Sequence, residues 1–314
     1  MKHAFVFPGQ GSQAVGMLAE LASVYPIVQQ TFEEASEVLK YDLWQLSQNG
    51  AAEELNQTAK TQPALLASGI AIWRVWESQG GSKPSVMAGH SFGEYTALVC
   101  AETLSYADTV LLAQYRGQFM QQAVPQGVGA MAAIIGLADD KVVEACQQAA
   151  ENEVVSAVNF NSPGQVVIAG NKAAVERAAE AAKTLGAKKA MLLDVSVPSH
   201  CDLMKPAAEN MAEKLQAVTM NTPQIPVIHN VDVNTKTDTA QIQQALVEQL
   251  YNPVRWVETV QKIAEQDITT LFSAGPGKVL AGLNKRIVKS MNTVVLDTPA
   301  GMDKALALAA ENEA

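Results

Sequence analysis

Cysteine is scarce in this chain: Cys100, Cys146 and Cys201 are the only three in 314 residues. They are odd in number, widely spaced and form no CxxC pair. That argues against a disulfide framework, and no cysteine–histidine cluster offers a metal site. Buried thiols in a reducing compartment are the expectation, with Cys201 singled out because it adjoins His200. Long apolar runs are missing as well. Among the longest stretches without polar or charged side chains is VGAMAAIIGLA, 128–138, too short to span a bilayer. The opening MKHAFVFPGQGSQ has neither a signal-length apolar segment nor a small-residue cleavage site. A soluble, cytoplasmic protein with no membrane partner is expected. Positive charge is also short, since 22 Lys and Arg face 32 Asp and Glu for a net charge of -10. With no basic block to offset it, a nucleic-acid partner is not expected. Histidine is limited to His3, His90, His200 and His229, so imidazole chemistry has few places to occur.

Apolar residues, by contrast, are plentiful. At 48% hydrophobic and 17% charged, the chain can bury a large core and is not a disordered one. Its length suits one large domain, or a large domain carrying a smaller insert. Strand-like AFVF (4–7) breaks at Pro8-Gly9. Helical patterns follow at 30–40 and 64–78, then a short buried strand, SVMAGH, and a helix containing YTALVC. Short apolar strands paired with helices predict a parallel α/β sheet.

The middle of the chain changes rhythm. Strand 130–135, helix 139–150, strands 154–160 and 165–170 joined by NSPG, helix 171–186 and strand 190–195 give the order β-α-β-β-α-β, a ferredoxin-like unit. A small subdomain at 127–197, inserted between 1–126 and 198–314, is the expectation; one continuous sheet without an insert is the alternative. Beyond it the pattern predicts helix 201–217, strand 225–229, helices 238–250 and 256–265, strand 269–273, the loop AGPGK, and a closing helix from about Gly301 to the end.

Within SVMAGHSFGEY lies G-x-S-x-G, with Ser91 between Gly89 and Gly93. A serine hydroxyl is a weak nucleophile at its ordinary pKa and needs a base within reach and donors for the oxyanion that forms. The pattern sits where a strand turns sharply into a helix, which is the context that exposes such a serine. The alternative is a glycine-lined packing turn. For the base, His90 is next to Ser91, but side chains diverge on a sharp turn, so it packs or orients. His3 is terminal. His200 lies in a Pro-broken loop at a strand end, where parallel α/β proteins place catalytic groups. His229 ends the apolar strand PVIH and is either a second candidate base or a satisfied core histidine. Arg116, in the apolar helix YADTVLLAQYRGQFMQQ, reads first as a surface-edge residue with a buried stem; the sharper reading is a guanidinium fork for a carboxylate. The loop FPGQGSQ presents Gly9, Gln10 and Gly11 after the first strand. It is a candidate source of an oxyanion donor, beside the N–H of Phe92, and no Walker lysine follows it.

Taken together and in order, FPGQGSQ, GHSFGEY, YRGQFMQ, NFNSPGQVVIAG, VPSH and GPGKVL resemble the bacterial malonyl-CoA:acyl carrier protein transacylases of type II fatty acid synthesis, over residues 4 to about 290. The resemblance implies an α/β-hydrolase-like core with a ferredoxin-like subdomain. It implies Ser91 as the nucleophile that becomes malonylated and His200 as its base, oriented by a main-chain carbonyl placed at Gln249. It further implies Arg116 on the malonyl carboxylate and the N–H groups of Gln10 and Phe92 as the oxyanion hole. Malonyl-CoA and acyl carrier protein are the implied partners, exchanged by a ping-pong route with no metal or redox cofactor. Phe92 stands where the family more often has Leu, which bears on the width of the acyl pocket. The family's carrier is acidic, as is this chain, so docking calls for a local exception. Residues 268–296 contain Lys278, Lys285, Arg286 and Lys289 and no Asp or Glu; they either receive the carrier or coenzyme A phosphates or form a solvated helix face. A serine hydrolase shares GHSFG and a histidine, but hydrolases of this fold carry that histidine near the C-terminus, whereas about 114 residues follow His200. A catalytically dead carrier-binding protein is opposed by Ser91, His200 and Arg116 standing together.

Overall fold

The structure, a computed structural model, describes residues 2–195 and 197–311. Its strands are β1 (His3–Phe7), β2 (Val86–Gly89), β3 (Gly129–Ile135), β4 (Val155–Ser162), β5 (Gln165–Asn171), β6 (Lys189–Leu192), β7 (Val227–Ile228), β8 (Thr270–Ser273) and β9 (Asn292–Val295). They form two sheets, not one continuous sheet: β7-β2-β1-β8-β9 and β4-β5-β3-β6.

The first sheet is parallel throughout. Helices cover both of its faces, which is why its central strands read as apolar runs instead of alternating. On one face Phe5 meets Trp73, Trp76 and Phe272 edge-on at 5.1, 5.2 and 5.5 Å between ring centres. On the other, Ala4, Val6, Ala88 and Leu271 pack with Ile228 and Trp256. His3 belongs to this core and is no loose terminus: it is buried, with its ring beside Phe5, Trp76 and Phe272. Register pairs Phe7 with Gly89, so the Pro8–Gly11 loop and the turn after β2 leave the same edge of the sheet side by side. Carboxyl ends of parallel strands are where such folds place their sites.

The second sheet is antiparallel, and its order follows from β3-helix-β4-β5-helix-β6, the ferredoxin-like arrangement. The helices Asp139–Ala150 and Lys172–Thr184 lay apolar stripes (Val142, Ala145, Cys146; Val175, Ala178, Ala182) on one face of it, giving this sheet its own apolar cluster. Contact with the body includes main-chain bonds: Phe160 N–H donates to Val254 at 3.0 Å, and Val254 N–H to Val158 at 2.8 Å.

Several elements depart from the sequence pattern. The helix expected over 64–78 runs Thr58–Ser78 and continues through Pro63. The proline forfeits one helical hydrogen bond, but the turn around it is buried, and burial outweighs one bond. Strand 225–229 shrinks to Val227–Ile228, because only β2 pairs with it in the sheet. A helix, Val279–Ile287, and β9 occupy a stretch where the pattern gave only the loop AGPGK. The last helix is Pro299–Ala310; its expected continuation through 312–314 lies outside the described residues, as does Ser196 within the 127–197 segment.

Candidate active site

β2 ends at Gly89 and the helix Gly93–Cys100 begins four residues later, so the chain must reverse within His90–Phe92. Ser91 takes a positive φ of 51° to do so, a conformation that costs a non-glycine residue energy and persists only where its surroundings impose it. Glycine is required on either side for space. A Cβ at Gly89 would lie 1.9 Å from the Gly93 carbonyl carbon, and one at Gly93 would lie 2.1 Å from the Phe7 oxygen. The turn is strapped from behind by Asn230: its Oδ1 accepts from Ser91 N–H at 2.7 Å, and its Nδ2 donates to Gly89 O at 2.7 Å. Sequence reasoning passed Asn230 by. Its signal, an amide directly after the strand-ending His229, becomes legible only once β7 is known to lie beside β2.

Of the two candidate bases, His200 is the one that faces the serine. Its Nε2 lies 2.7 Å from Ser91 Oγ, and its Nδ1 lies 2.7 Å from the main-chain oxygen of Gln249. That oxygen can only accept, so Nδ1 carries the proton and Nε2 presents a lone pair to the hydroxyl. His200 itself has a φ of 66°. Burial, reinforced by the Arg116 charge and opposed by the hydrogen bond to Gln249, pulls its pKa down to about 3, which keeps the imidazole neutral. His229 is fully buried and donates from Nδ1 to Glu94 Oε1 at 2.7 Å, while its Nε2 has no hydrogen-bond partner; it is a core histidine and does not face the serine. His90 pairs with Asn161 Oδ1 at 2.8 Å and packs 5.5 Å from the Trp256 ring, as its place beside the serine suggested. Cys201 is buried and donates to Pro198 O, and burial pushes its thiol up to about 12, so it stays protonated.

Arg116 corrects the surface-edge reading: it is 1% exposed. Its helix, Tyr106–Ala123, is packed between others, and Gly117 lies so close to the helix Thr58–Ser78 that a Cβ there would sit 2.5 Å from the Ala59 Cα. That close approach draws the neighbouring Arg116 inside. Its Nη2 donates to Gln249 Oε1 at 2.9 Å and its Nη1 reaches Met120 Sδ at 3.2 Å, while its Nε has no partner. The rings of Phe92 and Tyr95 lie 5.9 and 5.6 Å from the guanidinium carbon. Burial pulls its pKa down, against the charges of Tyr95 and Glu94. A buried guanidinium with no carboxylate among its hydrogen-bond partners is poised for an anion supplied from outside.

Ser91, Phe92, Arg116, His200 and Gln10 all line one cleft of about 930 Å³. Neither the Gln10 nor the Phe92 N–H donates to a protein acceptor among the described residues, which leaves both available to an oxyanion. Phe92 stacks on Tyr95 at 5.5 Å and is buried. The opposite wall includes Met131, Asn159, Val167 and Leu193 from the antiparallel sheet and the segment after it. Lys278, Lys285, Arg286 and Lys289 are exposed, and Arg286 is tied to Gln165 Oε1 at 2.7 Å. No group of His, Cys, Asp and Glu among the described residues has the arrangement of a metal site, and none of the described helices is long and apolar enough to cross a membrane.

Residues 4–307 match the acyl transferase domain family. The chain is 60% identical over 303 residues to a malonyl CoA-acyl carrier protein transacylase of Salmonella typhimurium, covering 96% of this chain and 98% of that one. Among solved structures, an acyl carrier protein S-malonyltransferase from Vibrio cholerae superposes with a TM-score of 0.95 at 59% identity, covering 97% and 99% of the two chains. A malonyl-transacylase solved in complex with its type II PKS acyl-carrier protein gives a TM-score of 0.97 at 55% identity, covering 98% and 100%.

Proposed function

Because this chain belongs to the malonyl CoA-acyl carrier protein transacylase family, we propose that it moves the malonyl group from malonyl-CoA to the phosphopantetheine thiol of acyl carrier protein, supplying malonyl-carrier for fatty acid elongation. One observation carries the assignment of roles. The relay Ser91 Oγ–His200–Gln249 O, with 2.7 Å at both links, opens into the same cleft as a buried arginine that bonds no carboxylate.

The reading is ping-pong. His200 Nε2 takes the Ser91 proton as Oγ attacks the thioester carbonyl of malonyl-CoA. The oxyanion is received by the N–H groups of Gln10 and Phe92, and the positive end of the helix Gly93–Cys100 adds to the field. The C–S bond breaks, the coenzyme A thiolate takes the proton from His200, and malonyl-Ser91 remains. The carrier's thiol then gives its proton to His200, attacks the ester and leaves as malonyl-carrier, returning Ser91 to the hydroxyl. The Gln249 carbonyl keeps His200 in the required tautomer, and Arg116 holds the free carboxylate of the acyl group. Acyl transfer changes no oxidation state, so the reading calls for no redox cofactor, and with His200 as base and two N–H donors for the oxyanion it invokes no metal.

The reading extends to organisation and place. A small subdomain at 127–197 is set into a body of 1–126 and 198–314; the separate apolar cluster of the antiparallel sheet supports it. The enzyme acts in the cytoplasm, where its thioester substrates are made and used. Exposed Lys278, Lys285, Arg286 and Lys289 receive the acidic carrier or coenzyme A phosphates; charge reversal at Lys285 and Arg286 that leaves the KM for carrier unchanged counts against that part. To test the reaction itself, the protein is mixed with malonyl-CoA, with and without carrier. A malonyl adduct on the Ser91 peptide that disappears as malonyl-carrier forms is the expected result. Free malonate in place of malonyl-carrier would make the protein a hydrolase.

A further inference from the structure

Behind Ser91, outside the cleft lining, lies a carboxylate with no exposed surface, Glu94, in the first turn of the helix Gly93–Cys100. Its Oε1 accepts from His229 Nδ1 at 2.7 Å. Its Oε2 accepts from Asn230 N–H at 3.0 Å and from Gln249 Nε2 at 2.8 Å. Two of these donors lead on to the reacting groups. Asn230 holds the turn at Ser91 and Gly89. Gln249 Nε2 also donates to Ser91 O at 3.0 Å, while its Oε1 accepts from Arg116. Both partners of Gln249 Nε2 can only accept, so the orientation of that amide is fixed and its oxygen must face Arg116. Arg116 has no carboxylate among its hydrogen-bond partners; the Tyr95 side chain and, one amide away, the buried carboxylate of Glu94 favour its charged form against burial.

On the reading that Arg116 grips the malonyl carboxylate, we propose that Glu94 is a positioning residue that moderates this grip. It turns the Gln249 amide toward Arg116 and supplies the buried counter-charge against which an incoming carboxylate must compete. An uncompensated guanidinium away from water would hold an anion hard in every state of the cycle. Binding all states more tightly lowers KM without raising kcat, and it delays departure of the product. A fixed anion one amide distant, at an effective interior dielectric of about 20, shifts carboxylate affinity by roughly tenfold or more.

Glu94→Gln separates charge from shape. The amide oxygen can keep the place of Oε2 against Asn230 and Gln249. Its NH2 can donate to His229 Nδ1 once that ring moves its proton to Nε2, an atom with no hydrogen-bond partner. Steady-state kinetics are measured with malonyl-CoA and, as the carboxylate-free control, acetyl-CoA. The expected result is a KM for malonyl-CoA lowered about tenfold with kcat falling alongside it, and an acetyl-CoA KM changed less than about threefold. A glutamate that only props up the fold would shift both substrates together. That result, or a malonyl-CoA KM that stays put or rises, overturns the proposal. A wild-type enzyme indifferent to the carboxylate would remove the Arg116 reading first, and this proposal with it. Should Glu94→Gln not fold, Glu94→Gln/Arg116→Met, with both charges gone, is expected to fold; its failure also overturns the proposal.

Discussion

The two sheets share one cleft and contribute different things to it. The parallel sheet delivers Ser91 at the end of β2, Gln10 after β1 and Asn230 after β7, all leaving the same edge, and helices of the same body, packed on other helices, bring Arg116 and the Gln249 carbonyl. The antiparallel sheet delivers mostly apolar surface: Met131 from β3 and Val167 from β5, with Asn159 as the polar exception. Asp194 after β6 apart, charge and strained backbone thus concentrate on one side of the cleft and shape on the other. The parallel arrangement explains the split, since it gathers several strand ends at one edge, whereas an antiparallel sheet turns half its strand ends away.

The sharpest way to break this comparison is to attack the parallel side. Ser91→Ala is expected to lower kcat by about 10⁴–10⁶-fold, as nucleophile deletions do, and to abolish the malonyl adduct seen by mass spectrometry. Retention of the adduct would move the nucleophile elsewhere. Next in size, Arg116→Ala is expected to cost roughly 3–5 kcal/mol in kcat/KM with malonyl-CoA, because the carboxylate loses its buried partner. With acetyl-CoA the loss is expected to be small. Equal losses on the two substrates would make Arg116 a structural residue.

A smaller effect concerns pH. Burial, the Arg116 charge and the electrostatic influence of His90 hold the His200 pKa at about 3 against the bond to Gln249. An ordinary imidazole near 6.5 would lose about thirtyfold in its neutral form by pH 5. Here kcat/KM for the free enzyme, which reports the base before substrate binds, is expected to fall less than about twofold between pH 7 and pH 5. An acid limb centred near 6.5 would contradict the burial argument. Stability carries the same signature. As pH falls, the unfolded chain binds the proton near 6.5 and the folded one near 3, so the stability held above 6.5 is lost progressively down to about 3. Denaturant midpoints across that range check it.

Local pattern carried much of the architecture. The order of the antiparallel unit, the turn at Ser91 and the loop position of His200 were legible because each depends on residues close together in sequence. What escaped the sequence depends on distance. On its local pattern Arg116 read first as a surface residue, with the carboxylate fork as the sharper alternative, because nothing near it tells that Gly117 lets a second helix close over it, or that its acceptor stands at Gln249. Glu94 lay within the quoted GHSFGEY, yet its meaning rests on His229, Asn230 and Gln249, which only the fold brings together. The histidine choice is the same lesson: His200 and His229 both follow apolar stretches, and the buried carboxylate beside one of them marks it as a core residue.

The smallest effect sharpens the comparison from its other side. Val167 is buried on β5, pairs with Asn159 across the hairpin and faces the cleft beside Met131. Val167→Ala removes two methyl groups from the wall and touches none of the charged residues. If the antiparallel sheet contributes shape alone, kcat/KM with malonyl-CoA should stay within about threefold of wild type. A bulkier branched acyl group such as methylmalonyl should gain, by up to about tenfold, since one methyl-sized step in an apolar pocket is worth about 1–3 kcal/mol. Parallel assays on the two thioesters read the difference directly. A collapse of malonyl transfer toward the level of Ser91→Ala would mean that this wall also positions the reacting groups, through the β4 strand that is hydrogen-bonded to Val254, and the division of labour between the sheets would fall.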